Sequence, residues 1–117
     1  MTNKYKKYTD EAKVYDVAKR TPLDYQALLS TRLNNQIYLK REDLQSVFSF
    51  KIRGAYNKLT HLDKKIRDKG IIAASAGNHA QGVAMAAKTL SCKATIVMPK
   101  TTPTIKTNAV RKFGAEV

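Results

Sequence analysis

The chain has a single cysteine, Cys92, among 117 residues. One cysteine cannot form an internal disulfide, so a disulfide-stapled secreted domain is excluded. No apolar run approaches the roughly 20 residues that span a bilayer. Residues 1–7 are polar and basic and no apolar stretch follows them, so the sequence shows no secretory signal and points to the cytoplasm. Acidic residues are scarce, nine against 22 lysines and arginines, giving a formal charge of +13. The basic residues are scattered into small clusters such as Lys64-Lys65-Arg67, without the interleaved aromatics of a nucleic-acid stacking platform. They read first as solvated helix faces, and nucleic acid is disfavoured as a partner. The five glycines are never adjacent, and no internal repeat or low-complexity linker is present. What remains is ordinary: 43% hydrophobic residues in a length that suits one small globular domain.

The spacing of apolar residues then predicts elements. Thr9-Asp10-Glu11 reads as a helix start, with Val14, Val17 and Ala18 on its apolar face up to Arg20. Pro22 breaks that helix. Asp24 to Arg32 is a second short helix with Leu28, Leu29 and Leu33 on one side, followed by a turn at Asn34-Asn35. Ile37 to Lys40 is a strand. Ser49 caps a helix starting at Phe50 and carrying Ile52, Ala55, Tyr56 and Leu59. Gly54 weakens that helix and is taken as a point of close approach. Ile71 to Ala74 reads as a buried strand, Ala80 to Leu90 as a helix, and Ala94 to Met98 as a second strand. Thr102-Pro103 reads as a cap with proline in the first turn of a further helix, which Gly114 ends. Ala115-Glu116-Val117 starts a third strand. Alternating strands and helices predict an α/β chain, a partial open parallel sheet with flanking helices. The chain stops as the third strand begins, so an unfinished sheet and a truncated chain are expected.

Two segments can carry chemistry. In Ser49-Phe50-Lys51-Ile52-Arg53-Gly54-Ala55, Lys51 lies in a helix's first turn, where the peptide dipoles disfavour an ammonium. Partial burial beside Phe48 and Phe50 acts the same way, and a neutral amine is what Schiff-base chemistry needs. A lysine so placed is nevertheless more often a solvated charge. In Ser75-Ala76-Gly77-Asn78-His79-Ala80-Gln81-Gly82, a turn follows a parallel strand and opens a helix. Ligands bind at such carboxyl ends, and free N–H groups there suit an anion. Taken alone, Ser75 and Asn78 are more often plain capping residues, and His79 a hydrogen-bonded structural histidine.

Together the two segments resemble the threonine/serine dehydratase branch of the tryptophan-synthase-β-like, fold-type-II enzymes that use pyridoxal 5'-phosphate (PLP). Thr21-Pro22-Leu23, Tyr38 to Gln45, and Met98-Pro99 with Thr102-Pro103 and Lys106 resemble that family as well, so the likeness runs from about Thr21 to Val117. The wording of Ala74 to Gly82 is most similar to the biosynthetic threonine dehydratases of the isoleucine pathway. The resemblance implies that Lys51 holds PLP and removes the substrate α-proton, that Phe50 packs against the cofactor and that Asn78 bonds the ring hydroxyl. It implies that Ser75, Ala76, Gly77, Asn78 and His79 grip the substrate carboxylate. The reaction implied is conversion of L-threonine, or L-serine, by α,β-elimination, with PLP as electron sink. No metal is implied. Residues 1–44 would form an N-terminal helix and strand segment, and 45–117 part of the smaller PLP-binding subdomain.

The sequence departs from the family in one respect. Gly54, Gly70, Gly77, Gly82 and Gly114 make no glycine-rich phosphate cup, which the family places further along. The family's regulatory domain is absent too, and the resemblance implies a homo-oligomer for the full-length form. The chain alone is therefore expected to be catalytically poor. A serine dehydratase, serine racemase or threonine synthase relative is the near alternative. A basic module for nucleic acid or an acidic partner, and a non-catalytic remnant with an exposed sheet edge, are the distant ones.

Overall fold

The computed structural model describes residues 4–117. Helix α1 spans Lys4–Asp10 and ends where the sequence predicts a helix to begin. The Thr9 hydroxyl donates to the Tyr5 carbonyl at 2.9 Å, so it serves the preceding turn and does not cap a following one. Val14–Asp16 is a single 3-10 turn, and Val17 and Ala18 reach the core from an irregular segment. The expected helix up to Arg20 is thus corrected.

Pro22 leads into strand β1, Leu23–Tyr25, which helix α2, Ala27–Leu33, connects to strand β2, Tyr38–Lys40. The two strands pair antiparallel, Leu23 opposite Lys40 and Tyr25 opposite Tyr38. The Tyr25 and Tyr38 rings stand 5.2 Å apart, an aromatic cross-strand pair that helps fix the register. Asp24 and Tyr25 are therefore strand and not the start of a helix. Asn34 closes α2 with φ 46°, a left-handed cap that asparagine tolerates. The expected leucine face of α2 is not buried: Leu28 is 90% exposed, and the helix is held instead by Ser30, whose Oγ accepts the Ile37 N–H at 2.9 Å.

The rest follows the predicted order. Helix α3, Lys51–Thr60, buries Ile52, Ala55, Tyr56 and Leu59, the four residues its spacing predicts. The short helix α4, Lys64–Arg67, is capped by Asp63. Gly70, with φ 93°, turns the chain into strand β3, Ile71–Ala74. Helix α5, Asn78–Thr89, strand β4, Ala94–Val97, and helix α6, Thr104–Arg111, complete the set. Strands β3 and β4 are parallel with Ile71 opposite Ala94, and Glu116 adds a parallel bridge to Thr95. The third strand thus begins as expected, and the chain is α/β.

One core joins α3, α5 and the inner side of the sheet through Ile52, Val83, Ala84, Ile96 and Val110. Burial of each large aliphatic side chain there contributes about 1.5–3 kcal/mol. The alanines of α5, among them Ala80, Ala84 and Ala87, let the neighbouring elements approach closely. The expectation of a fully buried β3 is corrected. Its residues alternate between half-buried and exposed, and Ile72 is 74% exposed because helices cover one sheet face only. The cap of α6 is shifted by one residue. Pro103, with ψ 141°, is itself the N-cap, while the Thr102 N–H is held by the Pro99 carbonyl at 3.0 Å.

Candidate functional site

The two chemistry-bearing segments converge through a glycine. A Cβ added to Gly82 would lie 3.1 Å from both the carbonyl carbon and oxygen of Lys51 and 3.3 Å from the Ile52 nitrogen. The start of α3 therefore rests directly on the backbone of α5. Gly82 is buried in α5 between Gln81 and Val83. Asn78 lies four residues earlier, on the same helix face and about one 5.4 Å turn nearer the helix start. The Lys51 backbone and the opening turn of α5 are thereby neighbours. Gly54, the expected close-approach glycine, has nothing within 4 Å of its Cβ position, so that expectation is corrected to Gly82.

Lys51 is the first residue of α3, and its N–H donates weakly to Ser49 Oγ at 3.4 Å. Ser49 thus supports the helix start while Phe50 occupies the cap position. The Lys51 ammonium stands 5.1 Å from the Phe50 ring centroid, within cation–π range. The expected burial of Lys51 between two phenylalanines is not made within this chain. Phe48 is 76% and Phe50 58% exposed, and Lys51 itself is exposed. Phe48 also has φ 54°, an uncommon conformation for a bulky residue. The loop before Lys51 is therefore held in a strained shape that turns both rings outward.

At the opposing side, Ser75 continues the sheet by donating its N–H to the Val97 carbonyl at 3.1 Å. Its Oγ accepts the Gly77 N–H at 3.3 Å, which stiffens the turn. Gly77 caps α5 with extended backbone. Asn78 and His79 form the first turn, where helix geometry leaves their N–H groups without intrahelical acceptors. Ala76, Asn78 and His79 are exposed, while Ser75 and Gly77 are half-buried. This is a short rigid turn offering N–H donors beside the positive end of a 12-residue helix, suited to an anionic group. A cavity of about 310 Å³ lies alongside, lined by Gly54, Leu59, Ile72, His79 and Val83 among others. Of the two segments only Gly54, Ala55 and His79 reach it; neither Lys51 nor Asn78 lines it, so these two side chains lie outside this hollow.

Sequence reasoning missed a second cluster behind Lys51. Arg53 forks onto Glu42, with Nε 2.8 Å from one carboxylate oxygen and Nη2 2.8 Å from the other. The Thr21 hydroxyl donates to the same carboxylate at 2.6 Å and the Gln45 amide at 3.2 Å. The Arg53 hydrogen bonds, more than burial opposes, hold the Glu42 carboxyl down at about 2. The same contact raises Arg53 above its ordinary range. The signal was present, since Thr21, Glu42, Gln45 and Arg53 all fall in the segments singled out by resemblance. Their pairing across the fold was not legible.

The chain is similar to known proteins in both sequence and fold. A family model for pyridoxal-phosphate dependent enzymes matches residues 14–117. The chain is 59% identical over 106 residues to a chloroplastic biosynthetic threonine dehydratase of Solanum lycopersicum, covering 91% of this chain and 18% of the relative. It is 57% identical over 113 residues to the biosynthetic L-threonine dehydratase of Pasteurella multocida, covering 97% and 22%. Among solved structures, the processed form of threonine deaminase isoform 2 from S. lycopersicum superimposes with TM-score 0.91 at 52% identity, covering all of this chain and 33% of that one. Serine racemase from Dictyostelium discoideum gives 0.89 at 34% identity, covering 95% and 37%. The chain spans about a fifth of the length of the curated relatives it matches. Its fold is that of the N-terminal part of the threonine deaminase, and the chain belongs to the pyridoxal-phosphate dependent enzyme family.

Proposed function

We propose that this chain is the cofactor-lysine segment of a PLP-dependent threonine dehydratase, a threonine ammonia-lyase serving isoleucine biosynthesis. The observation that carries the reading is the Gly82 contact, which sets Lys51 beside the opening turn of α5. The donor set fits PLP in part. Lys51 supplies a primary amine for the aldehyde, the Phe50 ring a flat face, and Asn78 an amide for the ring hydroxyl. The turn from Ser75 to His79 supplies N–H donors for a substrate carboxylate. No cradle for the phosphate is found among the described residues. In this reading residues 1–44 are the N-terminal helix and strand segment of the catalytic domain and 45–117 part of its smaller PLP-binding subdomain.

The overall change converts L-threonine to 2-oxobutanoate and ammonia. The α-proton and β-hydroxyl leave as water, and water returns when the resulting imine hydrolyses, so atoms balance. Lys51 Nζ takes the α-proton. The turn from Ser75 to His79 holds the carboxylate and so fixes which face of the substrate meets that amine. The bound cofactor supplies a conjugated ring that accepts the electron pair left at the α-carbon. Threonine is favoured over serine by the names of the relatives at 57–59% identity, whereas the serine racemase likeness stands at 34%. The cytoplasm remains the proposed location, in keeping with the bacterial relative, and the assembled enzyme is proposed to be a homo-oligomer.

The test is covalent trapping. The chain is incubated with PLP, reduced with borohydride, and any pyridoxyl group is located by peptide mass, with Lys51→Ala as control. Selective labelling of Lys51, lost in the variant, is expected. Labelling spread evenly over the surface lysines contradicts the assignment.

A further inference from the structure

The first turn of α3 is gripped from two sides. On one, Gly82 lies against the Lys51 backbone. On the other, Arg53 is two residues further along, which in an α-helix points it roughly 200° around the axis from Lys51. Its guanidinium forks onto Glu42 in two 2.8 Å hydrogen bonds, and both side chains are sheltered, at 23% and 14% exposure. Gln45, 1% exposed, ties Glu42 to the Lys19 backbone by accepting its N–H at 2.8 Å and donating to its carbonyl at 2.9 Å. Arg53 Nη2 reaches the same carbonyl at 3.3 Å, and its guanidinium stands 5.3 Å from the Tyr15 ring. The segment before α3 is thus knotted onto one residue of the helix that bears Lys51.

A sheltered ion pair is a weak source of stability, because desolvation opposes the attraction. A bidentate fork is a strong source of geometry, since the planar guanidinium accepts one orientation. Fixing Arg53 fixes the rotation of the first turn about its axis, and that rotation decides where Lys51 points. Resting on the reading of Lys51 given above, we propose that Glu42 and Arg53 are positioning residues that aim the Lys51 amine at the opening turn of α5.

The experiment measures PLP half-saturation of Lys51 labelling, by borohydride trapping and peptide mass, in the full 117-residue chain. The visible absorbance of the lysine adduct before reduction is followed in parallel. Glu42→Gln and Arg53→Lys are compared with Asp24→Asn, which removes the Arg41–Asp24 pair and leaves both partners of the Glu42–Arg53 fork in place. Each protein is compared at equal folded fraction, set by circular dichroism in urea, so that lost stability does not mimic lost aim. Expected is a roughly tenfold rise in half-saturation for both knot variants, the size seen when a supporting side chain behind a ligand is removed. Asp24→Asn should match the parent. Labelling of Glu42→Gln and Arg53→Lys at parental PLP concentrations overturns the proposal, as does a loss that Asp24→Asn shares at equal folded fraction. Absence of selective Lys51 labelling in the parent chain overturns the reading of the site itself, and this inference with it.

Discussion

Gly82 and Gly54 are both helical glycines in opposite surroundings. A methyl group at Gly82 would meet backbone atoms of Lys51 and Ile52 at 3.1–3.3 Å, and backbone cannot swing aside as a flexible side chain can. Gly82→Ala is expected to destabilise the chain by about 1–3 kcal/mol, the range for overpacked sites. At Gly54 the added methyl meets nothing within 4 Å, and its helical position favours alanine. Gly54→Ala is expected to stabilise by about 0.5–1 kcal/mol. Urea midpoints at constant slope measure both changes, and equal midpoints for the two variants would contradict the packing assigned to Gly82. The pair shows what a sequence withholds. Each glycine interrupts an amphipathic helix in the same way, and only the path of a distant chain segment decides which one is touched. The helix-start positions of Lys51 and of the turn from Ser75 to His79 were legible from local patterning, whereas the roles expected of them came from the resemblance alone. The exposure of Phe48 and Phe50 was not, because it depends on what faces them.

At the scale of elements, helices with a full apolar stripe were read correctly and short marginal ones were not. Helix α3 buries the four residues its spacing names, and α5 buries Ala80, Val83, Ala84 and Ala87 at helical spacing. By contrast Thr9 bonds backwards, and Leu23 to Tyr25 becomes strand by pairing with β2, whose residues lie from 13 positions away at Tyr25–Tyr38 to 17 at Leu23–Lys40. The knot of Glu42 and Arg53 joins such weakly determined pieces to α3, and its protonation should be visible in stability. Glu42 is lowered from an ordinary 4.5 to about 2. A lowered carboxyl contributes stability that is fully present above its unfolded value and lost as pH falls through the folded one. The loss therefore lies between about pH 4.5 and 2, on the order of 2–3 kcal/mol. Arg53 stays charged throughout, so the change belongs to the glutamate. In Glu42→Gln this component should vanish, leaving a shallower fall of urea midpoint with acid. Parallel acid profiles for the two proteins would mean that the pairing is not maintained in solution.

The whole molecule is a flat body of 51 × 46 × 19 Å with a radius of gyration of 16.9 Å. A compact chain of this length would have about 13 Å. The difference reflects surface left uncovered, including Ile72 and Val97 on the outer sheet face and Leu28 and Leu33 on α2. With so little built around Lys51, the chain alone is expected to be a poor catalyst of 2-oxobutanoate release from threonine. Robust turnover would show that these 117 residues already close a working site. The exposed apolar residues favour self-association, while the charge of +13 opposes it. Repulsion among dispersed surface charges is screened over about 10 Å at 0.1 M salt and about 3 Å at 1 M, whereas apolar contact is not weakened by such screening. The balance should therefore tip with ionic strength. Sedimentation velocity is expected to find monomers at low salt and progressively larger species as salt is raised. A nucleic-acid or acidic-partner module gives the opposite signature, a complex formed at low salt that salt dissolves. Salt-promoted self-association, with nucleic acid bound no more tightly than any basic surface binds it, would identify the charge as solvated helix faces and the apolar faces as the surfaces that seek a partner. A chain that stays monomeric at every salt concentration would mean that the outer face of the sheet is less adhesive than its exposed isoleucine and valine imply.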